Sequence, residues 1–393
     1  MRITLAHPGA SWAVSDVYTG LLAGLRAGGH EVEEYALAGR LQASRVTLEY
    51  LWRTQVRTGG PLADVRPTPA DVQYHAGQGL LERALRFEPD YVVVVCAAYL
   101  HPDVLILARR AGLKLAAVFT ESPYDDAEQA KVAPLFDVCF TNERTSVERL
   151  REANPNTHYL PVAYDPASHG SGLPAYTSAP AAAPRHALGP VAGHCTVSPE
   201  GAFPQATGSD PVPSAGAPSI APRSEAFDVV FVGTGFSSRM ELLSGVDWTG
   251  IGLRLYGYWD DVPKRHPLAS YLHPGLVDNA RTGALYRRAR IGLNLYRGTE
   301  GAAAESLNPR AYELAADGVF TLSGPRAEVA ERFGPLVPTF RTGKELESLV
   351  RHFLWNEAAR RVAAAGLPER VEHDTYHHRA AALVAHLEAT TLP

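Results

Sequence analysis

Asp90-Tyr-Val-Val-Val-Val-Cys96 is a continuous apolar run with no polar side chain between its first and last residues. A strand with one wet face alternates apolar and polar residues, so an unbroken run reads as a strand buried on both faces of a parallel sheet. Upstream, Ile3 to Ala6 is a short apolar strand and His7-Pro-Gly-Ala-Ser11 a turn. Val17, Leu21, Leu22 and Leu25 then recur at helical spacing, and Gly28-Gly29 stops that helix before the strand His30-Glu-Val-Glu-Glu-Tyr35. Downstream, His101-Pro-Asp103 opens a helix through Arg110, and Lys114 to Phe119 and Phe136-Asp-Val-Cys-Phe140 are further strands. A helix over Thr145 to Glu152 and the segment Tyr159-Leu-Pro-Val162 close the unit. Strands alternating with helices predict a doubly wound, Rossmann-like parallel sheet.

From about Pro166 to Ser224 the composition shifts to Pro, Ala, Gly and Ser, periodicity vanishes and charges become sparse. Such a stretch cannot bury enough apolar surface to offset its ordering, which predicts a disordered linker or surface insertion in which His186 and His194 do nothing specific. Order resumes at Phe227-Asp-Val-Val-Phe-Val232, a second buried strand. Helix Met240–Leu243, strand Leu253–Tyr256, helix Thr282–Arg288, strand Ile291–Leu295, a helix from Pro309, strand Val319–Leu322 and helix Glu345–Leu354 follow. The expected organisation is an α/β first domain (1–165), a linker (166–225), a second Rossmann-like domain (226–372) and a terminal helix (373–393) returning to the first domain.

A length of 393 residues is comfortable for two cores, and 46% hydrophobic content is that of an ordinary globular protein. A net charge of -5 supplies no basic face for nucleic acid at the level of the whole chain. Cys96, Cys139 and Cys195 are odd in number and widely spaced, the pattern of a reducing compartment rather than a disulfide framework. Met1-Arg-Ile-Thr-Leu-Ala6 runs straight into a strand and no apolar run reaches membrane-spanning length, so the expectation is a cytoplasmic protein without a membrane span.

Gly233-Thr-Gly235-Phe-Ser-Ser238 lies between a strand and a helix and approaches the dinucleotide fingerprint, but a serine replaces the third glycine and no acid ends the next strand. It reads either as a phosphate-facing turn with Arg239 as diphosphate partner, or as a plain strand-to-helix turn with a solvated arginine. Backbone near Val277 can meet a nucleobase edge, and Asn294 ends a strand; both also suit ordinary turn and core roles. Glu305-Ser-Leu-Asn-Pro-Arg-Ala-Tyr-Glu313 separates two carboxylates by seven residues, the second in the first turns of a helix where amides and dipole favour a diphosphate.

Gly275-x-Val277, Tyr286, Arg290-Ile-x-Leu-Asn294 and Asn308-x-Arg310-x-x-Glu313-x-x-x-x-Gly318 occur in order, followed by Glu345-Leu346, Arg360, Gly366 and His373-x-Thr375-Tyr376-x-x-Arg379. This set resembles the C-terminal domain of the GT-B glycosyltransferases, in particular the CgeB-like group related to spore maturation proteins, and Glu305-x7-Glu313 matches their EX7E pattern. The resemblance covers roughly 227–385; over 1–165 it rests on Leu25-x-x-x-Gly29-His30-Glu-Val32, Thr120-Glu-Ser-Pro123 and Tyr159-Leu-Pro161. It implies a GT-B fold, with a nucleotide-sugar donor, a UDP-sugar first of all, on the second domain and the acceptor on the first. Glu313 then binds the ribose, Arg310 and Arg239 neutralise the diphosphate without metal or other cofactor, and Glu305 faces the donor sugar. Gly233, Gly235, Val277, Tyr286, Asn294 and Asn308 complete the donor side. The lysine that often accompanies the diphosphate-binding arginine is absent from the second domain.

On the acceptor side, His7 (with Ser11 and Asp16), His101 (with Asp103) and Glu121 follow strand ends, where each either orients or deprotonates an acceptor hydroxyl or serves as a cap or loop residue. His373-Asp-Thr-Tyr-His377 lacks the glutamate that a zinc-protease helix requires, so no metal is expected. The resulting reading is sugar transfer to a hydroxyl of a glycan, small molecule, protein or modified DNA base, with retention favoured on Glu305 alone. The competing readings are a degenerate GT-B scaffold or coat component and a sugar-nucleotide epimerase.

Overall fold

The computed structural model describes residues 1–9, 14–170, 227–259, 262–273, 277, 279–298 and 303–391. Ser11, His186, His194, Cys195, Gly275 and all but the first five residues of the expected 166–225 linker lie outside these described residues.

The first unit runs β1 (Arg2–His7), α1 (Ser15–Ala27), β2 (Glu31–Ala36), α2 (Ala38–Thr58), α3 (Pro69–Phe87), β3 (Tyr91–Val95), α4 (Pro102–Arg110), β4 (Leu115–Phe119), α5 (Asp126–Val132), β5 (Val138–Thr141), α6 (Val147–Arg151) and β6 (Thr157–Tyr159). Its strands form a six-stranded parallel sheet in the order β2-β1-β3-β4-β5-β6. The apolar run that opens the sequence is β3, at the interior of this sheet and buried along its whole length. Val92 and Val94 join Leu80, Ala84, Val104 and Leu105 on one face, while Tyr91, Val93 and Val95 join Leu21, Leu25, Leu383 and Leu387 on the other. Both faces are dry, as the composition of the run requires, and each buried valine contributes roughly 1.5–3 kcal/mol.

The second unit comprises β7 (Phe227–Val232), α7 (Ser237–Ser244), β8 (Leu253–Tyr256), α8 (Asn279–Tyr286), β9 (Ala289–Asn294), α9 (Pro309–Ala316), β10 (Thr321–Ser323), α10 (Ala327–Phe333), α11 (Gly343–Trp355) and α12 (Glu357–Ala365), followed by α13 (Tyr376–Thr391). Its four parallel strands lie in the order β10-β9-β7-β8. In both sheets the direction of strand order reverses at the first strand, between β1 and β3 and between β7 and β9, which opens a crevice at the strands' carboxyl ends.

Between Tyr35 and Asp90, where no element is expected from the sequence, α2 and α3 fill most of the chain. Only Ser44 of α2 is buried, so that helix lacks the apolar stripe by which a helix is read from sequence. Residues 166–170, expected to begin the linker, instead form a turn in which the Ser168 and His169 amides donate to the Asp165 carbonyl at 3.0 Å each. His373 precedes α13, so it and His377 do not share a helix face. Among the described residues no helix is long and apolar enough to cross a membrane.

α13 follows the second unit in the chain but packs on α1 of the first. Gly20 and Gly24, one turn apart on α1, form the groove that admits it: a Cβ at Gly20 would lie 2.3 Å from the Tyr376 ring, and one at Gly24 2.8 Å from the Ala380 methyl. Gly20→Val is therefore expected to destabilise the protein by about 1–3 kcal/mol through overpacking, measured as a lower urea midpoint, whereas Gly39→Ala, in α2 with open space at its Cβ position, does not lower the midpoint.

Candidate functional site

The reversal point of the second sheet is occupied by Arg239. Its side chain enters from α7 and bridges the ends of two strands, donating from Nη1 to the Thr234 carbonyl at 2.9 Å, from Nη2 to Leu295 at 2.8 Å and from Nε to Tyr296 at 3.3 Å. The guanidinium lies 5.3 Å over the Phe231 ring and 4.9 Å over Phe236. Arg239 is 8% exposed and has no carboxylate partner among the described residues. Burial, followed by the charge of Arg310, holds its pKa below the ordinary arginine value. The sequence implies a diphosphate ligand at Arg239; in the structure three of its five N–H donors go to backbone carbonyls, which hold the guanidinium in place.

Arg310, which donates to the Tyr286 hydroxyl, is the second cation at the site. It occupies the second position of α9, lies 4.6 Å over the Phe231 ring, and its buried Nε has no hydrogen-bond partner among the described residues. A cation in the first turn of a helix opposes the helix dipole, and here a second arginine stands beside it, so the local field favours an anion. Two further arginines follow strand ends nearby. Arg297, just beyond β9, stacks 4.8 Å from Tyr124 and 5.1 Å from Phe236. Arg326, just beyond β10, stacks 4.5 Å from Tyr296, donates to the Ala304 carbonyl, and keeps a buried Nε without a partner among the described residues.

The glycine turn supports this cluster by shape more than by its amides. Gly233 donates its N–H to the Tyr256 carbonyl at 2.9 Å and Gly235 to Tyr258 at 2.8 Å, so both amides are engaged within the protein. What the glycines supply is clearance: a Cβ at Gly233 would lie 2.6 Å from Nη2 of Arg310, and one at Gly235 2.3 Å from the Trp259 indole.

Glu313 lies one turn after Arg310 on α9. The Tyr286 hydroxyl donates to its Oε2 at 3.1 Å, and burial together with the Glu313 charge keeps Tyr286 protonated, its pKa well above the ordinary value. Asn308 caps α9 by accepting from the Ala311 amide at 3.1 Å. Asn294 is fully buried and donates to Ser323 at 3.0 Å, tying β9 to β10 rather than facing the cleft. Val277 is half-buried with both neighbours outside the described residues.

Glu305 is placed elsewhere than expected. Its carboxylate accepts from Nε of Arg144, at the end of β5 in the first unit, at 2.7 Å, and the same guanidinium forks onto Glu331 of α10 at 2.7 and 2.8 Å. Beside it, buried Glu143 accepts from the amides of Glu305 (3.1 Å) and Ser306 (3.1 and 3.3 Å), from the Ser306 hydroxyl (3.2 Å), and from Thr145. The Tyr159 hydroxyl reaches Ser306 at 3.0 Å and Glu328 at 2.6 Å. Glu305 thus belongs to a clamp that joins the two units, and the reading of it as a sugar-facing acid is corrected: its charge is spent on Arg144.

Of the acceptor-side candidates, Glu121 reaches the second unit, 3.9 Å from Arg297, with Tyr124 nearby donating to the Arg297 carbonyl at 3.2 Å. His7 is buried at the end of β1, stacked 3.6 Å on Tyr18 and hydrogen-bonded to Glu34 at 3.0 Å, a bond that outweighs burial and lowers the Glu34 pKa. His101 caps α4 by accepting from the Asp103 amide at 3.2 Å and turns its edge to Tyr74. Glu143, Arg144, Arg297 and Arg326 are not among the sequence candidates, although each follows a strand end, the same signal that singled out Glu121.

The arrangement of two parallel sheets meeting at their carboxyl ends recurs in solved structures. HepE of Anabaena in complex with UDP-glucose superposes with a TM-score of 0.57 at 10% identity, over 98% of this chain and 99% of that one. A trehalose-6-phosphate structure from E. coli bound with UDP-2-fluoro glucose gives 0.56 at 10% identity over the whole of both chains. The fold is GT-B. A putative UDP-N-acetylglucosamine 2-epimerase from Listeria monocytogenes shares it as well, with a TM-score of 0.55 at 11% identity over 99% of this chain and 96% of that chain. A family model described as glycosyl transferase-like matches residues 239–385, a span that holds the arginine cluster, Glu313 and the clamp segment. A search of curated proteins gives no match.

The clamp of this GT-B chain is testable directly. Glu143→Ala removes the acceptor for buried amides of the opposite unit and is expected to cost about 3 kcal/mol, read from urea unfolding, while Arg149→Ala, on the exposed side of α6, is expected to be silent.

Proposed function

We propose that this chain is a glycosyltransferase that moves a sugar from a nucleotide-diphosphate sugar to an acceptor hydroxyl. The observation that carries the reading is the gathering of positive charge where the sheets meet: Arg239, Arg297, Arg310 and Arg326 surround Phe231, Phe236, Tyr124 and Tyr296, with Glu121, 3.9 Å from Arg297, and Glu313, which shares the Tyr286 hydroxyl with Arg310, as neighbouring carboxylates. Gathering cations in excess of their countercharge is costly, and a diphosphate supplies the balance. In this reading Arg310 meets the diphosphate, Arg239 sets the field behind it, and Glu313, oriented by Tyr286, accepts from the ribose hydroxyls. Negative charge grows on the departing diphosphate as the glycosidic bond breaks, and preorganised guanidinium groups stabilise it without reorganisation. Positioned arginines can serve that purpose in the absence of a divalent ion, so transfer is expected to survive chelation of metals. UDP is the nucleotide we favour, as the ligand of the HepE neighbour, and Glu121 is the acid we assign to the acceptor hydroxyl. The CgeB-like group remains the family we favour, on its motifs over Asn308 to Gly318.

Thermal-shift titration with UDP, GDP, ADP and dTDP sugars tests the reading. A ligand at about 100 times its Kd is expected to raise the Tm by roughly 5 °C, and Arg310→Ala and Glu313→Ala each to abolish the shift. No stabilisation of the wild-type protein by any of the four overturns the donor site and leaves the scaffold reading. Conversion of the sugar nucleotide without an acceptor marks an epimerase instead.

A further inference from the structure

At the end of the first unit, Asp165 to Gly170 folds into a turn that docks on the second unit's α8 and α9. The approach is close: a Cβ on Gly283 of α8 would lie 2.5 Å from the Ser168 carbonyl and 2.9 Å from Asp317. Asp317, the C-cap of α9, has a fully buried side chain. His169 Nδ1 meets its Oδ2 at 2.8 Å, while the Gly170 amide, at 3.0 Å, and Arg287 donate to its Oδ1. His169 also stacks on Tyr286, with centroids 6.0 Å apart, and Tyr286 is the residue that donates to Glu313. Glu313 and Asp317 are four residues apart and so share one face of α9. One imidazole therefore touches both supports of the carboxylate assigned to the ribose: the end of its helix and its hydrogen-bond donor.

We infer that His169 is a positioning residue for Glu313, through which the docking of the 165–170 turn sets the affinity of the second unit for its nucleotide. The inference rests on the donor-site reading given above. The charged and titratable groups facing His169 are Glu313 from α9 and Asp317 at its C-cap, Asp16 from α1, Tyr286 from α8 and Arg287 just after it. Burial alone lowers the His169 pKa, but the Asp317 hydrogen bond and the charges of Glu313, Asp317 and Asp16 outweigh it, so its pKa stands above the ordinary value. The sign follows: the charged contact with Asp317 is fully present below the ordinary histidine pKa and is lost as pH rises through the raised one. The part of nucleotide affinity that depends on the contact is lost in the same direction.

The test is calorimetric titration of UDP-glucose, GDP-mannose, ADP-glucose and dTDP-glucose, whose diphosphates are esterified at both ends and do not titrate in this range. The tightest binder is followed from pH 6 to 8.5 with wild type, His169→Gln and His169→Leu. Wild-type affinity is expected to fall several-fold as pH rises. His169→Gln, which keeps a neutral donor for Asp317, is expected to bind with a flat profile, and His169→Leu to bind roughly tenfold more weakly. Should His169→Leu fail to fold, the flat profile of His169→Gln carries the test. A wild-type protein that binds while His169→Gln keeps the wild-type pH slope overturns the inference alone. A wild-type protein that binds none of the four overturns the donor-site reading, and the inference with it.

Discussion

The organisation of the second unit depends on one buried positive charge. Arg239 is held between strand ends by three carbonyls and two phenyl rings, and no carboxylate neutralises it among the described residues. Carbonyls satisfy the donors of a guanidinium but leave its charge in place. That charge, with Arg310 beside it in the first turn of α9, gives the crevice a field that favours an anion. The narrow turn Gly233-Thr-Gly235, the Trp259 indole beneath it and the ring of Phe231 are the parts that let two arginines come this close.

The second requirement is that the two sheets face each other in a fixed relation. Glu143 and Arg144 achieve this from the end of β5. One carboxylate gathers the amides of Glu305 and Ser306, and one guanidinium spans Glu305 and Glu331. α13 makes the other tie by returning to α1, and Asp317 a third by seizing the turn that ends at Gly170. Glu313 and Arg310 are thus presented on a helix anchored at its C-terminal end by the first unit, which links the geometry of the cleft to the chemistry assigned to it.

Much of this was legible in the sequence. Runs such as Tyr91–Val95 and Phe227–Val232 carry their double burial in their composition, and Asn308-Pro309 marks the start of α9 by its capping chemistry. Spacing alone misplaced Glu305, since whether an acid faces a sugar or a distant arginine depends on Arg144, more than a hundred residues earlier in the chain. Arg239 was read as a ligand for the same reason: nothing local reveals that Leu295 and Tyr296 offer it their carbonyls. α2 escaped because its side chains are mostly wet, and His169 because it lay at the start of a segment whose composition suggested no packing at all.

The central claim is that the arginine cluster and Glu313 hold a nucleotide diphosphate. A crystal structure of the protein with UDP bound tests it most directly. The account predicts phosphate oxygens within hydrogen-bond distance of Arg310 and the ribose hydroxyls on Glu313, with Arg239 still tied to its carbonyls. A nucleotide bound away from α9, or a diphosphate that leaves Arg310 untouched, contradicts it.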